Sequence, residues 1–140
     1  RPRGKDRNYM SGSIPERLPL DERGLPAGYT LRPEWEVTPR QVKAQMQTGQ
    51  PLLLIDCRTP AEHALVAIPG ARLLPMQETP ARLPELMGHM HDPIVIHCHL
   101  GGRSLRVCAF LRQQGFSQVY SMAGGIDVWA QDIEPGMTRY

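Results

Sequence analysis

Cys98 opens the run Cys98-His99-Leu100-Gly101-Gly102-Arg103-Ser104, directly after the apolar stretch Ile94-Val95-Ile96-His97. A free thiol titrates at roughly 8.5, but a thiolate at a helix N-terminus beside a cation titrates several units lower and becomes a ready nucleophile. The residues after Cys98 suit that purpose. Gly101 and Gly102 are expected to take positive φ, so that the amides from His99 to Arg103 curl into a nest around one point. Leu100 is carried on the same loop. The dipole of the following helix adds about half a positive charge there. Arg103 supplies a permanent fork of donors, and the Ser104 hydroxyl is placed to donate to the sulfur or cap the helix. The stretch reads as a cradle for an anion, with a charged and solvent-reachable sulfur at its floor.

Such a loop needs a strand to deliver it and a helix to receive it. Ile94 to His97, bounded by Pro93, reads as a buried strand, and Ser104 to Gln114 as a helix with Val107, Cys108 and Leu111 on one face. Leu52 to Asp56 is a second apolar run without alternation, as in a parallel sheet covered on both sides. Ala71 to Leu74 and Val119 to Ser121 give two more strands. Helices are expected from Thr38, with Pro39 and Gln41 completing a capping box, from Thr79 to Met87, and from Gly125 to Gln131 with Trp129 as a core anchor. Strands alternating with helices at these spacings imply a parallel α/β architecture. Its functional loops gather at the carboxyl ends of the strands, where 56–62, 98–103 and 122–125 fall.

Three motifs in this order are specific. Cys98-x-x-Gly101-x-Arg103 resembles the active-site loop of the rhodanese family of sulfurtransferases. Leu53-Leu54-Ile55-Asp56-Cys57-Arg58-Thr59-Pro60-Ala61-Glu62, followed by Ile68-Pro69-Gly70-Ala71, is similar to that family's first signature. Met122-Ala123-Gly124-Gly125-Ile126-Asp127-Val128-Trp129 resembles its closing one. The resemblance implies a three-layer α/β sandwich, with a small central parallel sheet and helices on both faces, over residues 37–135. It also implies a persulfide formed on Cys98 from thiosulfate or a persulfide donor and passed to a thiophilic acceptor. Substrate would be bound by His99, Leu100, Gly101, Gly102, Arg103, Ser104 and Arg58, with Arg72 as an alternative helper and Asp56 and Glu62 supporting the walls. Read on their own, Asp56, Arg58 and Glu62 equally describe a structural network in which Arg58 pairs with Glu62, and Cys57 reads as packing. One departure stands out: family members carry Gly-His where this chain has Val66-Ala67.

Two rival readings stay open. The loop is close to the signature of cysteine-dependent phosphatases and arsenate reductases, but one residue shorter between cysteine and arginine, and no general acid is identifiable. A non-catalytic rhodanese-like docking module is the other.

The chain of 140 residues is long enough to bury about two-thirds of its unfolded surface in one domain. A net charge of +2 gives no field for nucleic acid, and no apolar run approaches a membrane span. Three cysteines, an odd number in no metal-binding spacing, point to a reducing cytoplasmic setting without disulfides. His89, His91, His97 and His99 cluster in sequence but do not suggest a tetrahedral metal site, and no cofactor is expected. His97 is expected half-buried and His99 exposed at the loop mouth. The expected partners are a small anionic sulfur donor and a thiol or carrier-protein acceptor, for a monomer or weak dimer. Residues 1–36, rich in proline and charge, read as an extended arm with a basic start at Arg1, Arg3, Lys5 and Arg7, and 136–140 as a tail. A chain that begins at Arg1 also suggests trimming or excision from a longer product.

Overall fold

The computed structural model describes residues 14, 16 and 19–140. The basic start of the arm lies outside them. Five strands form one sheet: β1 (Glu36–Val37), β2 (Leu53–Asp56), β3 (Arg72–Leu73), β4 (Ile94–His97) and β5 (Val119–Met122). Their spatial order is β1-β5-β4-β2-β3, and every neighbouring pair is parallel. Four helices cover it: α1 (Pro39–Gln47), α2 (Pro60–Leu65), α3 (Gly102–Gln113) and α4 (Gly125–Asp132).

The sheet is central because its strands are apolar on both sides. On one face Ile55, Ile94, Ile96 and Val119 meet Val107, Cys108 and Leu111 of α3. On the other, Leu54, Val95 and Met122 meet Val42 of α1 and Ile126 and Trp129 of α4. This is the expected three-layer sandwich, and all four residues of β4 are buried in its middle. β4 pairs with β2 from Leu53↔Ile94 to Asp56↔His97, so the two strands end level. Their following loops therefore start side by side at the carboxyl edge.

Helix starts follow local chemistry. Thr38 and Gln41 form the expected reciprocal capping box on α1, and Thr59 and Glu62 form another on α2. Each such cap contributes about 1 kcal/mol. The expected helix over 79–87 is not formed. Met76–Glu78 and Leu83–His89 are two short 3-10 helices instead. Pro84 follows Pro80 by four residues and has no N–H to offer its carbonyl, so an α-helical ladder is interrupted there.

The later part of the arm, from Leu20, and the C-terminal tail both lie against the body. Leu25 is fully buried, Leu20 bridges to Pro26, and Arg40 joins Asp132 at 2.8 Å while donating to the Glu22 carbonyl. Trp35 lies under the Arg112 guanidinium, 4.3 Å from the ring centroid. At the other end Met137 packs against the second core cluster, Arg139 pairs with Asp127 at 3.0 Å, and Tyr140 reaches the loop edge described next.

Candidate active site

β4 delivers Cys98 to the edge of the sheet, and the chain then turns through Gly101 into α3. Gly101 sits at φ +111°, where an L side chain is strained, and an added Cβ would lie 3.4 Å from the Gly124 amide nitrogen. Gly102 does not share that conformation. It is the first residue of α3, and a Cβ there meets nothing within 4 Å, so the expectation of two positive-φ glycines holds for one. The helix accordingly begins two residues earlier than its apolar periodicity indicates.

The turn aims donors at the sulfur. The Gly101 amide donates to Cys98 Sγ at 3.1 Å and the Ser104 amide at 3.4 Å, while Ser104 Oγ stands 3.4 Å away. Ser104 Oγ is held by the Gly101 carbonyl at 3.1 Å and by Ser121 Oγ at 2.8 Å, which fixes the hydroxyl beside the sulfur. The backbone is pinned from behind by the start of α4. The Ile126 and Asp127 amides donate to the Cys98 and His99 carbonyls at 2.9 and 3.1 Å. Gly125 makes that approach possible, because a Cβ on it would fall 2.4 Å from the His99 oxygen. Of the amides expected to line the cup from His99 to Arg103, Gly101 is the one bonded to the sulfur, and the second donor is Ser104, one residue beyond.

The thiol of Cys98 is held far below its usual value, at about 4, by the neighbouring Cys57 thiol first and then by the Ser104 and Gly101 donors, which together overcome the opposing effect of burial. At neutral pH the group is a thiolate. Cys57 moves the other way: facing a neighbouring thiolate and buried, it stays a protonated donor. No local feature of the sequence marks this partner, since nothing after Cys57 forms a nest. The sign was the shared register, because Cys57 follows Asp56 as Cys98 follows His97, and the Cys57 amide bonds the His97 carbonyl at 3.0 Å.

One expectation about the sulfur is overturned. Cys98 is 1% exposed, so its sulfur is covered and not open to solvent. His99 does not project into solvent either: its ring stacks on Tyr140 with centroids 4.0 Å apart and planes 11° from parallel. Burial keeps His99 neutral over a wider range of pH than a free imidazole. Leu100 is the exposed residue of the loop, at 55%. His97 is fully buried, not half-buried, and burial lowers its basicity too.

The charged residues are paired differently from either sequence reading. Arg58 does not pair with Glu62, and its donors are engaged within the protein. It is 0% exposed and forks onto Asp56 at 2.9 and 2.7 Å, with further bonds to the Val66 carbonyl at 2.6 Å and Tyr140 Oη at 2.9 Å. Asp56 also takes His63 Nδ1 at 2.7 Å. Burial would raise the Asp56 carboxyl, yet Arg58 and its other neighbours hold it below the ordinary carboxylate range. Arg103 crosses to Glu62 as a two-point pair at 2.7 and 3.0 Å, and Tyr140 Oη donates to Glu62 at 2.6 Å. Against burial, these donors keep Glu62 ionised well below its usual range. Arg72 pairs with Glu85 on the surface at 3.3 Å. Tyr140, Cys57, His63 and Ser121 are thus site residues that sequence reasoning missed; Tyr140 lies 78 positions from Glu62 and carries no local signal.

Among the described residues no group of three or more His, Cys, Asp or Glu side chains is arranged to hold a metal ion, and no helix is long and apolar enough to cross a membrane. His89 contacts Asp92 and His91 contacts Ser117.

Comparison with known proteins places this geometry. The profile of the rhodanese-like domain matches residues 38–132. A sulfurtransferase of Allochromatium vinosum is 38% identical over 96 residues, covering 69% of this chain and 88% of its own length. The thiosulfate sulfurtransferase GlpE of Haemophilus influenzae is 35% identical over 105 residues, with 75% of this chain and 96% of that protein covered. Other relatives are longer polypeptides, of which this chain spans 26% to 30%. Among solved structures, a rhodanese-like domain protein from Staphylococcus aureus superposes with a TM-score of 0.65 at 27% identity, covering 74% of this chain and 96% of that one.

Proposed function

From a chain that belongs to the rhodanese-like domain family, we propose a sulfurtransferase that works by double displacement on Cys98. The observation that carries the reading is the donation of the Gly101 and Ser104 amides to Cys98 Sγ. The thiolate attacks the outer sulfur of a small anionic donor such as thiosulfate. A bond forms between Cys98 Sγ and that sulfur, the donor's sulfur–sulfur bond breaks, and sulfite leaves with the electron pair. The remaining persulfide is an anion, and the amides that held the thiolate stabilise it. A thiol or a carrier protein then attacks the outer sulfur and restores the thiolate; cyanide serves as acceptor in a test tube.

Two features of the site shape this proposal. Since Cys98 is covered, the donor reaches it only when the side chains at the cup's edge give way. Arg103, the cation closest in sequence to the nucleophile, is engaged by Glu62, so an anionic donor competes with that carboxylate for the guanidinium. The phosphatase and arsenate reductase readings find no support in the geometry. The loop is the shorter one, and the carboxyls beside it are tied to arginines, Asp56 to Arg58, Glu62 to Arg103 and Asp127 to Arg139, which makes them poor general acids.

Intact mass after thiosulfate treatment is the test. Gain of one sulfur atom, removed by cyanide or a thiol and absent in Cys98→Ser, is the expected result. No gain, with turnover of a phosphate ester instead, overturns the proposal. No gain and no turnover leaves the docking-module reading in its place.

A further inference from the structure

Cys57 and Cys98 occupy the same rung on one face of the sheet. Ile55 pairs with Ile96 and Asp56 with His97, so the next level holds the two cysteines, and the Cys57 amide continues the ladder to the His97 carbonyl at 3.0 Å. Both side chains point into the same apolar cluster, with Ile55, Ile96 and Val107, and each residue is 1% exposed. Neighbouring strands run about 4.8 Å apart. Disulfide-bonded residues have Cα separations of roughly 4.4 to 6.8 Å. That strand spacing falls within the bridging range, and both thiols are free.

We infer that Cys57 is a resolving thiol: when a peroxide oxidises Cys98, Cys57 captures it as an intramolecular disulfide between adjacent strand ends. In the first step the Cys98 thiolate attacks one oxygen of hydrogen peroxide. The oxygen–oxygen bond breaks, hydroxide leaves, and Cys98 becomes a sulfenic acid, oxidised by two electrons. In the second, Cys57 Sγ attacks Cys98 Sγ, the sulfur–oxygen bond breaks, and the hydroxyl leaves as water with the Cys57 proton. A dithiol reductant reverses the bridge by thiol–disulfide exchange and is itself oxidised.

The electrostatics favour this order of events. The neighbouring Cys98 thiolate is the chief cause that keeps Cys57 protonated, with burial as the second. A neutral sulfenic acid removes that negative neighbour, and the restraint on Cys57 weakens at the moment a nucleophile is needed. Cys108 is the internal control. Its thiol donates to the Val119 carbonyl at 3.1 Å, and burial raises it to about 11.

The experiment titrates the folded chain with hydrogen peroxide, then denatures, alkylates and measures intact and peptide masses. The expected product is lighter by two hydrogens, contains a Cys57–Cys98 linked peptide with Cys108 alkylated, and returns to the starting mass with a dithiol reductant. In Cys57→Ser, or Cys57→Val should the first variant fold poorly, Cys98 instead gains further oxygen atoms that the reductant does not remove. Accumulation of sulfinic acid on Cys98 in the unmodified sequence without the cross-link, or a bridge to Cys108, overturns the inference. The readout needs no sulfur donor, so it stands or falls separately from sulfur transfer.

Discussion

The ends of β2 and β4 are level in register and equally buried, and each carries a cysteine one residue beyond the strand, yet they do opposite things. After Cys98 the chain turns through a left-handed glycine and aims two amides at the sulfur. After Cys57 it runs through Arg58 into the Thr59 capping box, whose donors are consumed by Thr59 and Glu62. One thiol becomes an anion, and the other stays a proton donor beside it. Depth in the protein therefore does not set reactivity here. What the following loop does with its N–H groups does.

The difference is most sharply tested by titration. Because Cys98 is held at about 4, its alkylation rate by a small neutral electrophile, corrected for the intrinsic rate of opening, is expected to be flat from pH 6 to 8. An ordinary thiol climbs through roughly 8.5 over the same region. Its folded value lies below its unfolded one, so the thiolate's contribution to stability is complete above the unfolded value and disappears as pH falls through about 4. A midpoint near 8.5 in the folded protein would erase the contrast with Cys57.

Next in size is the buried pair that stiffens the β2 end. Arg58→Leu leaves the Asp56 carboxylate without its main partner, and removing one member of a buried ion pair costs about 3–5 kcal/mol. Denaturant unfolding should show a clear loss of stability. Loss of sulfur loading without loss of stability would instead give Arg58 the substrate-binding role that its burial denies.

Gly101→Ala attacks the β4 end. Left-handed backbone costs an L residue about 1–2 kcal/mol. The loop can relieve that strain only by turning the Gly101 amide from the sulfur, so the titration midpoint of Cys98 should rise and loading should slow by about tenfold. Gly102→Ala, in open space at the helix start, should change neither.

The smallest expected effect is at the rim the two loops share. Tyr140→Phe removes the hydroxyl that joins Arg58 to Glu62 but keeps the ring on His99, a loss of about 1 kcal/mol per hydrogen bond. A modest fall in melting temperature with faster alkylation of Cys98 is expected. Unchanged alkylation would show that Tyr140 does not restrict entry to the cup.

Much of this was legible along the chain. The capping box at Thr38, the helix after the loop and the turn at Gly101 all rest on contacts within a few residues, where spacing and residue type decide the outcome. The misreadings share a different cause. Arg58, expected on substrate or on Glu62 four residues on, is placed over Asp56 by the strand end. Glu62 then takes Arg103, 41 positions away.

The sequence by itself determined the parallel sheet, the place of Cys98 at a strand end and the glycine on which its loop turns, because strand burial and left-handed backbone are local demands. Only the tertiary structure decided that Cys57 stands beside Cys98, that α4 fixes the loop's carbonyls and that Tyr140 stacks on His99. Those relations depend on register between strands and on segments that meet only after the chain has closed on itself, and no spacing along the sequence encodes them.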